Sequence, residues 1–249
     1  MTLRYALVTG ASGGIGAATA RALASEGCSV WVTYSSNSSE ARATARDCIA
    51  NGARDVRVSE LDLRSPDSIA ALIADIDQVW GKLTVLVNNA AICNYTKYDE
   101  IGIDEWDETM ETNARGTFLL SRAALPLLRK GDGDRSITNV ASIAGQIGSV
   151  TTGMHYAASK GAILAITRSL ARALATEGIR VNAVTPGPIS SSITNKLAPA
   201  ARDSLSSVIP LGRFGSPDEV AWIIAAAASP RASFVTGATY DVNGGLRID

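Results

Sequence analysis

The sequence predicts an α/β fold built on a doubly wound parallel sheet of about seven strands, with helices on both faces. Three observations support this prediction. Short apolar segments alternate with helix-forming segments along the chain, a glycine-rich turn follows the first apolar segment, and a glycine follows several predicted helices. A strand covered on both faces has a nearly continuous apolar run, and each crossover helix buries one side of the sheet.

The predicted elements follow one another without a break. The first strand is expected within residues 3–9, and the first helix over 17–26, where a glycine ends it. The other predicted strands are 29–34, 55–61, 83–87, 136–141, 179–184 and 239–242. The other predicted helices are 40–51, 66–80, 104–130 with a break near Asn113, 156–176 and 217–228.

The chain is predicted to form one domain over residues 1–249. Its mass is 25.8 kDa, and a chain of this size buries roughly 70% of its surface on folding. No linker, composition break or internal repeat divides it. Residues 186–207 lack clear periodicity, which is typical of an active-site loop. We therefore expect a substrate-binding loop at about 186–215.

Charge and cysteine content exclude several classes of protein. The 23 basic and 24 acidic residues give a net charge of −1, and no basic run occurs, so nucleic acids and membrane surfaces are not expected partners. No apolar stretch reaches the roughly 18 residues of a membrane span, and no signal peptide is recognised. The 3 cysteines show no Cys-x-x-Cys spacing. They are interpreted as free thiols in a reducing compartment, which predicts a cytoplasmic protein without a metal site.

The segment from Thr9 to Gly16 reads Thr-Gly-Ala-Ser-Gly-Gly-Ile-Gly and lies between the first predicted strand and helix. Glycines let the backbone turn tightly and let a pyrophosphate approach the helix N-terminus, where unpaired N–H groups and the helix dipole favour an anion. Glycine clusters also form plain loops. The position directly after an apolar strand favours a dinucleotide-binding turn.

Polar residues follow the third and fourth predicted strands. Asp62 comes just after the third strand, and the run 88–91, Asn-Asn-Ala-Ala, follows the fourth. The carboxyl ends of parallel strands form the edge at which open α/β sheets bind ligands. Asp62 fits a turn or a cap equally well, whereas the Asn-Asn pair is harder to explain as a turn.

Tyr156 and Lys160 are four residues apart on a predicted helix and therefore share one face. An ammonium about 4 Å from a phenol is worth about 4 kcal/mol at an effective dielectric constant of about 20, which would lower the tyrosine pKa from about 10 to about 7. Such a tyrosine could act as a general acid or base. A half-buried tyrosine beside a lysine without a catalytic role is the alternative. His155, the only histidine, points about 100° away on the helix and is interpreted as a residue of the helix start or of an interface.

Taken together, these motifs make the chain resemble the short-chain dehydrogenase/reductase family over essentially its whole length. The matching motifs are, in chain order, Thr9-Gly10-x-x-x-Gly14-x-Gly16, Asn88-Asn89-Ala90, Asn113, Ser142, Tyr156-x-x-x-Lys160 and Pro186-Gly187. The resemblance implies a Rossmann-type fold. It also implies hydride transfer between a nicotinamide cofactor and a carbonyl or secondary alcohol, with no metal.

The resemblance assigns four catalytic positions, which are Asn113, Ser142, Tyr156 and Lys160. Tyr156 would give its proton to the forming alkoxide, and Ser142 would hold the substrate oxygen. Lys160 would lower the pKa of Tyr156 and bind the nicotinamide ribose. Asn113 would hold a water of the proton relay.

The resemblance also implies a set of cofactor-binding positions. Asp62 would meet the adenine, Asn89 and Ala90 the adjacent ribose region, and Ile189 the carboxamide through its backbone. The full set is Gly10, Ser12, Gly13, Gly14, Ile15, Gly16, Tyr34, Ser35, Ser36, Asp62, Leu63, Asn89, Ala90, Ala91, Tyr156, Lys160, Pro186, Gly187, Ile189 and Ser191.

The residues after the second strand predict NADP(H) rather than NAD(H). Members of the family that prefer NAD carry Asp at the position of Tyr34, where a carboxylate bonds the ribose 2′-OH and repels a 2′-phosphate. Here Tyr34 is followed by Ser35 and Ser36, whose hydroxyls can donate hydrogen bonds. Many NADP-dependent members carry an arginine at the position of Gly13, so a moderate preference is expected.

Within the family the chain most resembles 3-oxoacyl-(acyl-carrier-protein) reductases, from its length and its 235–237 and 242–245 segments. The basic residues that dock the acidic carrier in such enzymes are replaced here by Gly133 and Glu177, and acidic residues nearby would repel an acidic partner. We therefore expect an NADPH-dependent reductase of a ketone, a 3-oxoacyl thioester or a similar small carbonyl, without a required carrier protein.

Two alternatives stay open. One is a dehydrogenase of the same family that oxidises a sugar, polyol or hydroxysteroid. The other is a non-catalytic scaffold that senses NAD(P), against which the joint presence of Tyr156 and Lys160 argues. A homotetramer is implied by the habit of the family alone.

Overall fold

The computed structural model describes residues 3–149, 152–190 and 199–248. This part of the chain forms a seven-stranded sheet in the order β3-β2-β1-β4-β5-β6-β7, and neighbouring strands are parallel throughout. The strands are β1 (Tyr5–Val8), β2 (Ser29–Tyr34), β3 (Val56–Glu60), β4 (Val85–Asn88), β5 (Arg135–Val140), β6 (Ile179–Pro186) and β7 (Thr239–Val242). The strand order reverses between β1 and β4, which is the switch point of a doubly wound sheet.

Helices connect successive strands. They are α1 (Gly14–Ser25), α2 (Ser38–Ala50), α3 (Pro66–Trp80), α4 (Ile103–Thr109), α5 (Gly116–Arg129), α6 (Ala144–Ile147), α7 (Met154–Leu174), α8 (Pro199–Ser207) and α9 (Pro217–Ala228). A π-helical turn, Met110–Arg115, joins α4 to α5, and 3₁₀ turns cover Ala175–Glu177 and Pro230–Ala232. The predicted fold class is confirmed.

Two apolar cores lie on opposite faces of the sheet. Successive side chains of a strand point to opposite faces, so in β1 Ala6 and Val8 enter one core and Leu7 enters the other. Helices α1, α2 and α9 cover the first face, and α3, α5 and α7 cover the second. Both faces of the sheet are therefore buried, as the continuous apolar strands predict.

A buried ion pair fastens the edge of the sheet at which the strands begin. Arg180 in β6 makes two bonds of 2.8 Å to the carboxylate of Asp134. The same guanidinium donates to the carbonyls of Ala227, Val235 and Ser229. Its side chain is only 7% exposed, so every one of these partners replaces water that burial removes.

The break expected near Asn113 in the helix over 104–130 is present, as the π-helical turn that contains Asn113. The structure departs from the predicted elements at two helices that were not predicted, the short α6 after β5 and α8. Helix α8 lies inside the segment expected as an irregular loop, and a proline at its first position suits a helix start. None of the described helices is long and apolar enough to span a membrane.

Candidate active site

The carboxyl ends of the parallel strands bring the predicted site residues to one edge of the sheet. The turn from Thr9 to Gly16 follows β1, Tyr34 ends β2, and Asp62 follows β3. Asn89 follows β4, and Ser142 follows β5. Helix α7 carries Tyr156 and Lys160. The predicted positions that lie in the described residues belong to the ends of six strands and the segments after them, to helices α1 and α7, and to the π-helical turn.

Thr9 and Asn89 join the glycine turn to the loop after β4. The Thr9 Oγ1 accepts hydrogen bonds from the backbone N–H groups of Asn89 at 2.9 Å and Ala90 at 3.0 Å. The Asn89 Nδ2 donates to the Thr9 carbonyl at 2.9 Å. Gly10 has a φ of +62°, and a Cβ there would lie 2.8 Å from the Ala90 Cα. A side chain at position 10 is therefore disfavoured by conformation and by contact.

The start of α1 is open to an anion. Gly13 is the N-cap residue, and no side chain bonds the first N–H groups of the helix. A Cβ at Gly14 would meet no atom within 4 Å, whereas a Cβ at Gly16 would lie 2.3 Å from the Gly10 carbonyl oxygen. The helix thus packs closely on its inner side and leaves space on its outer side. This arrangement fits the pyrophosphate of a nicotinamide dinucleotide.

The residues after β2 lie beside this turn. The Ala11 N–H donates to the Thr33 carbonyl at 2.8 Å, which holds the turn against the end of β2. Tyr34 is half-buried, and Ser35 and Ser36 are exposed. Their hydroxyls therefore face solvent where an adenosine ribose would reach from the turn.

Asp62 is tied into a local turn. One carboxylate oxygen accepts from the Arg64 backbone N–H at 2.9 Å and from its Nε at 3.1 Å, and the other accepts from Nη2 at 3.0 Å. The hydrogen bond to the Arg64 side chain holds the pKa of Asp62 below its ordinary value. Leu63 is buried against Gly116, where a Cβ would lie 2.7 Å from the Leu63 Cβ. A contact of Asp62 or Leu63 with adenine stays a prediction.

Tyr156 and Lys160 share a face of α7, with the Lys160 Nζ 5.6 Å from the centre of the Tyr156 ring. The ammonium is buried and donates to the Val140 carbonyl at 2.8 Å. Burial lowers the pKa of Lys160 to about 8. Burial also raises the pKa of Tyr156, and a hydrogen bond with Ser142 opposes part of the rise.

The direction of the Tyr156 shift is opposite to the one expected from the sequence. The expectation placed the ammonium about 4 Å from the phenol, but Lys160 is turned towards the Val140 carbonyl. Burial of the phenol disfavours the charged phenolate, and this raises the pKa of Tyr156. The phenol of Tyr156 consequently carries its proton at neutral pH, as a general acid requires.

Ser142 stands beside this phenol at the end of β5. Its Oγ accepts a hydrogen bond from the Ala144 N–H at 3.1 Å, and it is nearly buried. A hydroxyl keeps one proton to donate when its oxygen accepts. Ser142 can therefore donate to a substrate oxygen placed next to Tyr156.

Asn113 lies buried in the π-helical turn and fixes the loop after β4. Its Oδ1 accepts from the Ile92 N–H at 2.9 Å, and its Nδ2 donates to the Ile92 carbonyl at 2.9 Å and to Ser159 Oγ at 3.0 Å. Both amide hydrogens are thus used within the protein. The side chain could hold a water only through the second lone pair of Oδ1.

The segment after β6 packs against the C-terminal part of the chain. The Gly187 N–H donates to the Val242 carbonyl at 2.9 Å, and a Cβ at Gly187 would lie 2.8 Å from the Asn243 Cα. Ile189 pairs with Gly215 in a parallel bridge. Ser191, predicted to bind the cofactor, lies outside the described residues.

Comparison with known proteins decides the family. A family model described as enoyl-(acyl carrier protein) reductase matches residues 10–247. The 3-oxoacyl-(acyl-carrier-protein) reductase FabG of Staphylococcus aureus is 37% identical over 244 residues, covering 98% of each chain. The corresponding reductase of Synechocystis is 37% identical over 247 residues, covering 99% of this chain and 98% of its own. The chain belongs to the short-chain dehydrogenase/reductase family.

A solved structure supports this membership of the short-chain dehydrogenase/reductase family. It is described as the Pseudomonas aeruginosa RhlG/NADP active-site complex. The similarity has a TM-score of 0.92 at 30% identity, and it covers 98% of this chain and 96% of the other. The resemblance stated from the motifs is confirmed, and with it the assignment to a family of oxidoreductases.

Sequence reasoning missed a chain of buried polar side chains beneath the site. The Asn88 Nδ2 donates to Ser121 Oγ at 2.9 Å and to Asn139 Oδ1 at 2.8 Å, and the Asn139 Nδ2 donates to Thr167 Oγ1 at 2.9 Å. These bonds join β4, β5, α5 and α7. The asparagine within the buried strand β5, Asn139, was the signal available in the sequence, because a buried amide requires hydrogen-bond partners.

His155 lies at the start of α7 and is buried. Its Nε2 is 3.4 Å from Glu105 Oε1, and Glu105 also accepts from Thr96 Oγ1 at 2.7 Å. The bond from Thr96 is the main cause that holds the pKa of Glu105 below its ordinary value. His155 thus packs between α4 and α7 at the helix start, which is one of the two positions expected for it.

The cysteines differ in their surroundings. Cys28 and Cys48 are buried, and burial raises the pKa of each thiol to about 11. Cys93 is exposed in the loop after β4. Within the described ranges, no three His, Cys, Asp or Glu side chains are grouped so as to hold a metal ion.

Proposed function

We propose that the protein is an NADPH-dependent reductase that converts a ketone, such as a 3-oxoacyl thioester or a similar small carbonyl, to a secondary alcohol. The supporting observation is the arrangement of three side chains: the Tyr156 phenol lies beside the Ser142 hydroxyl, and the buried Lys160 Nζ is 5.6 Å from the centre of the phenol ring. The balanced reaction consumes one ketone, one NADPH and one proton, and yields one alcohol and one NADP⁺.

The glycine turn and the neighbouring strand ends would hold the cofactor. The start of α1 would bind the pyrophosphate, and Ser35 and Ser36 would face the adenosine ribose. Lys160 would bind the nicotinamide ribose. The nicotinamide, when bound, supplies the hydride. NADP(H) is supported by the absence of an acid at Tyr34 and by the NADP named in the RhlG structure.

Three side chains would handle the substrate oxygen and its proton. Ser142 donates a hydrogen bond to the carbonyl oxygen, and Tyr156 transfers its proton to the forming alkoxide. The Lys160 ammonium then stabilises the phenolate that Tyr156 becomes. Asn113 acts by holding Ile92 and Ser159 in place.

The substrate would enter beside residues 186–215, which we assign as the substrate loop of a single domain that spans the chain. A cavity of about 550 Å³ borders this segment on the side of β7, and its lining does not include Ser142, Tyr156 or Lys160. Its lining combines apolar and charged side chains, among them Leu211, Arg213 and Arg247. This mixture suits a modest-sized polar molecule with an apolar part.

An acyl carrier protein is not required in this proposal. Glu177 is paired with Arg129 through bonds of 2.7 and 3.0 Å, and Asp132 is paired with Lys82. At these positions the surface therefore carries acidic side chains and basic side chains that are paired with them. Such a surface gives little attraction to an acidic carrier.

We also propose a homotetramer. Phe118 on α5 and Trp222 on α9 are exposed aromatic side chains, and apolar surface of this kind is typical of subunit interfaces. Sedimentation equilibrium measures the assembly directly: a monomer at micromolar concentration would contradict it.

The function is tested by following nicotinamide absorbance with NADPH, and separately NADH, against acetoacetyl thioesters, simple ketones and diketones. We expect turnover with NADPH that is lost in Tyr156→Phe. The matched control is Tyr5→Phe, because Tyr5 packs on Trp80 at the start of β1, away from the site.

Three outcomes would contradict the proposal or part of it. Turnover of alcohols, sugars or hydroxysteroids alone would assign the oxidative direction. Cofactor binding without turnover of any carbonyl or alcohol, unchanged in Tyr156→Phe, would favour a sensing protein. Loss of activity in both tyrosine variants would also count against the role of Tyr156.

A further inference from the structure

We infer that Glu40 weakens binding of the 2′-phosphate of NADP(H) and so limits the preference of the enzyme for NADP(H) over NAD(H). This inference rests on the proposed function, because it concerns the cofactor proposed there. No sequence motif pointed to Glu40, and its position in the fold is what assigns it this part.

The Glu40 carboxylate lies beside the glycine turn. Glu40 is in the first turn of α2, and its Oε2 is 3.7 Å from the position that a Cβ on Gly13 would occupy. Gly13 is the N-cap residue of α1, whose open N-terminus fits the pyrophosphate. A negative charge thus stands next to the turn that would hold the adenosine half of the cofactor.

The ribose 2′ position would fall near this carboxylate. In dinucleotide-binding folds the residue that reads the ribose 2′ group lies about 20 residues beyond the glycine turn, which here is the end of β2. The bond from Ala11 to the Thr33 carbonyl holds the turn against that strand end. Only the 35–37 segment separates the strand from α2. Glu40 therefore borders the space between the turn and the strand end.

Glu40 lacks the hydrogen bond and the ion pair that the acid at the same position of α9 makes. Glu219 occupies the same position in α9, where it bonds the Ser216 N–H at 2.8 Å and pairs with Arg213. At Glu40 the backbone N–H is capped by Asn37. Among the described residues, however, no lysine, arginine or histidine lies within ion-pairing distance of its carboxylate.

The surrounding segment supplies no compensating cation. Residues 34–40 read Tyr-Ser-Ser-Asn-Ser-Ser-Glu. A 2′-phosphate that accepted hydrogen bonds from the hydroxyls of this segment would therefore lie near one carboxylate of like charge and no cation of the segment. Repulsion acts on the phosphate of NADP(H) and spares the 2′-hydroxyl of NAD(H). Hydroxyl donors and a nearby acid together give a weak discrimination between the two cofactors.

Calorimetric titration with two adenosine probes isolates this effect from catalysis. Adenosine 2′,5′-bisphosphate carries the 2′-phosphate, and adenosine 5′-monophosphate does not. We expect Glu40→Gln to bind the bisphosphate about tenfold more tightly than the wild type, as partly screened repulsion between close charges predicts. Binding of the monophosphate should tighten by a smaller factor, because its 5′-phosphate also binds near the turn but it has no 2′-phosphate. The gain should shrink at high salt.

The control variant is Asp104→Asn, which removes one charge from the first turn of α4 and should leave both affinities unchanged. Glu40→Ala provides a second variant, and circular dichroism verifies that each is folded. Equal bisphosphate affinity in the wild type and both Glu40 variants, with the monophosphate still bound, overturns the inference alone. Failure of the wild type to bind the monophosphate, NADPH or NADH overturns the proposed function as well.

Discussion

Asn113 holds Ile92 through two hydrogen bonds of 2.9 Å, one accepted from its backbone N–H and one donated to its carbonyl. The Asn113 side chain thus bonds the backbone N–H and C=O of one residue, as a neighbouring strand does in a sheet. Asn113 is buried within the π-helical turn, and such turns are frequent at functional sites. The loop after β4 is thereby fixed beside Tyr156.

Replacing Asn113 by alanine should lower the free energy of unfolding by about 2 kcal/mol, because two largely enclosed backbone groups lose their partners. Urea denaturation measures the change. Asn51→Ala is the control, since the Asn51 amide makes one exposed bond to the Asp47 carbonyl. A loss at position 113 no greater than that at position 51 would contradict the structural role of Asn113.

The pH dependence of reduction should report Lys160. Burial lowers its pKa to about 8, and the protonated form stabilises the Tyr156 phenolate. We therefore expect kcat/KM to fall as the pH rises through about 8. Lys160→Met should be slower and should lack this descent. An identical descent in the variant would assign it to another group.

The same shift should affect stability. The lysine pKa is 10.5 in its ordinary state and about 8 in the fold, so between these values the unfolded chain binds a proton that the folded chain does not. The unfolding free energy should consequently rise with pH across this window. The difference in unfolding free energy between the wild type and Lys160→Met, which lacks this group, should change with pH inside the window and stay constant above and below it.

Gly16→Ala should abolish dinucleotide binding. The added Cβ would lie 2.3 Å from the Gly10 carbonyl oxygen and 2.5 Å from Asn89 Nδ2, so the turn must shift. Gly102→Ala is the matched control, because a Cβ at Gly102 meets nothing within 4 Å. Fluorescence titration with NADPH measures both. Retained affinity in Gly16→Ala would show that the turn does not hold the cofactor.

Arg180→Met should destabilise the fold by about 3 kcal/mol, because it leaves the Asp134 carboxylate, whose side chain is only 15% exposed, without its counter-ion. Arg129→Met should cost less than about 1 kcal/mol, since its pair with Glu177 is exposed. Thermal or chemical denaturation compares the two. Similar losses in both variants would mean that burial does not distinguish these ion pairs.

The sequence predicts the fold well because its signals are local and repeated. Apolar strands, glycine-ended helices and the turn after β1 each indicate the same doubly wound sheet. The break near Asn113 was also visible as a weak point in the helical pattern. Helix α8 was not predicted, because it has only 9 residues and Leu205 is its one large apolar side chain.

Properties that depend on distance were harder to predict. The spacing of Tyr156 and Lys160 places them on one face, but it does not show that the ammonium turns to Val140. The spacing also does not show the burial of the phenol, which is the main cause of the raised pKa of Tyr156. Glu40 was invisible for a similar reason, since only the packing of α2 beside the glycine turn brings its carboxylate there.

The hydrogen bond that the Asn89 backbone N–H donates to Thr9 Oγ1 joins positions 80 residues apart. In a nascent chain leaving the ribosome, the cofactor turn therefore lacks this bond until β4 has emerged. Strand β1 likewise pairs with β2 alone until β4 is available. We expect truncated chains that end before β4 to bind no dinucleotide. The dinucleotide would then bind and stabilise the chain only after β4 has been synthesised.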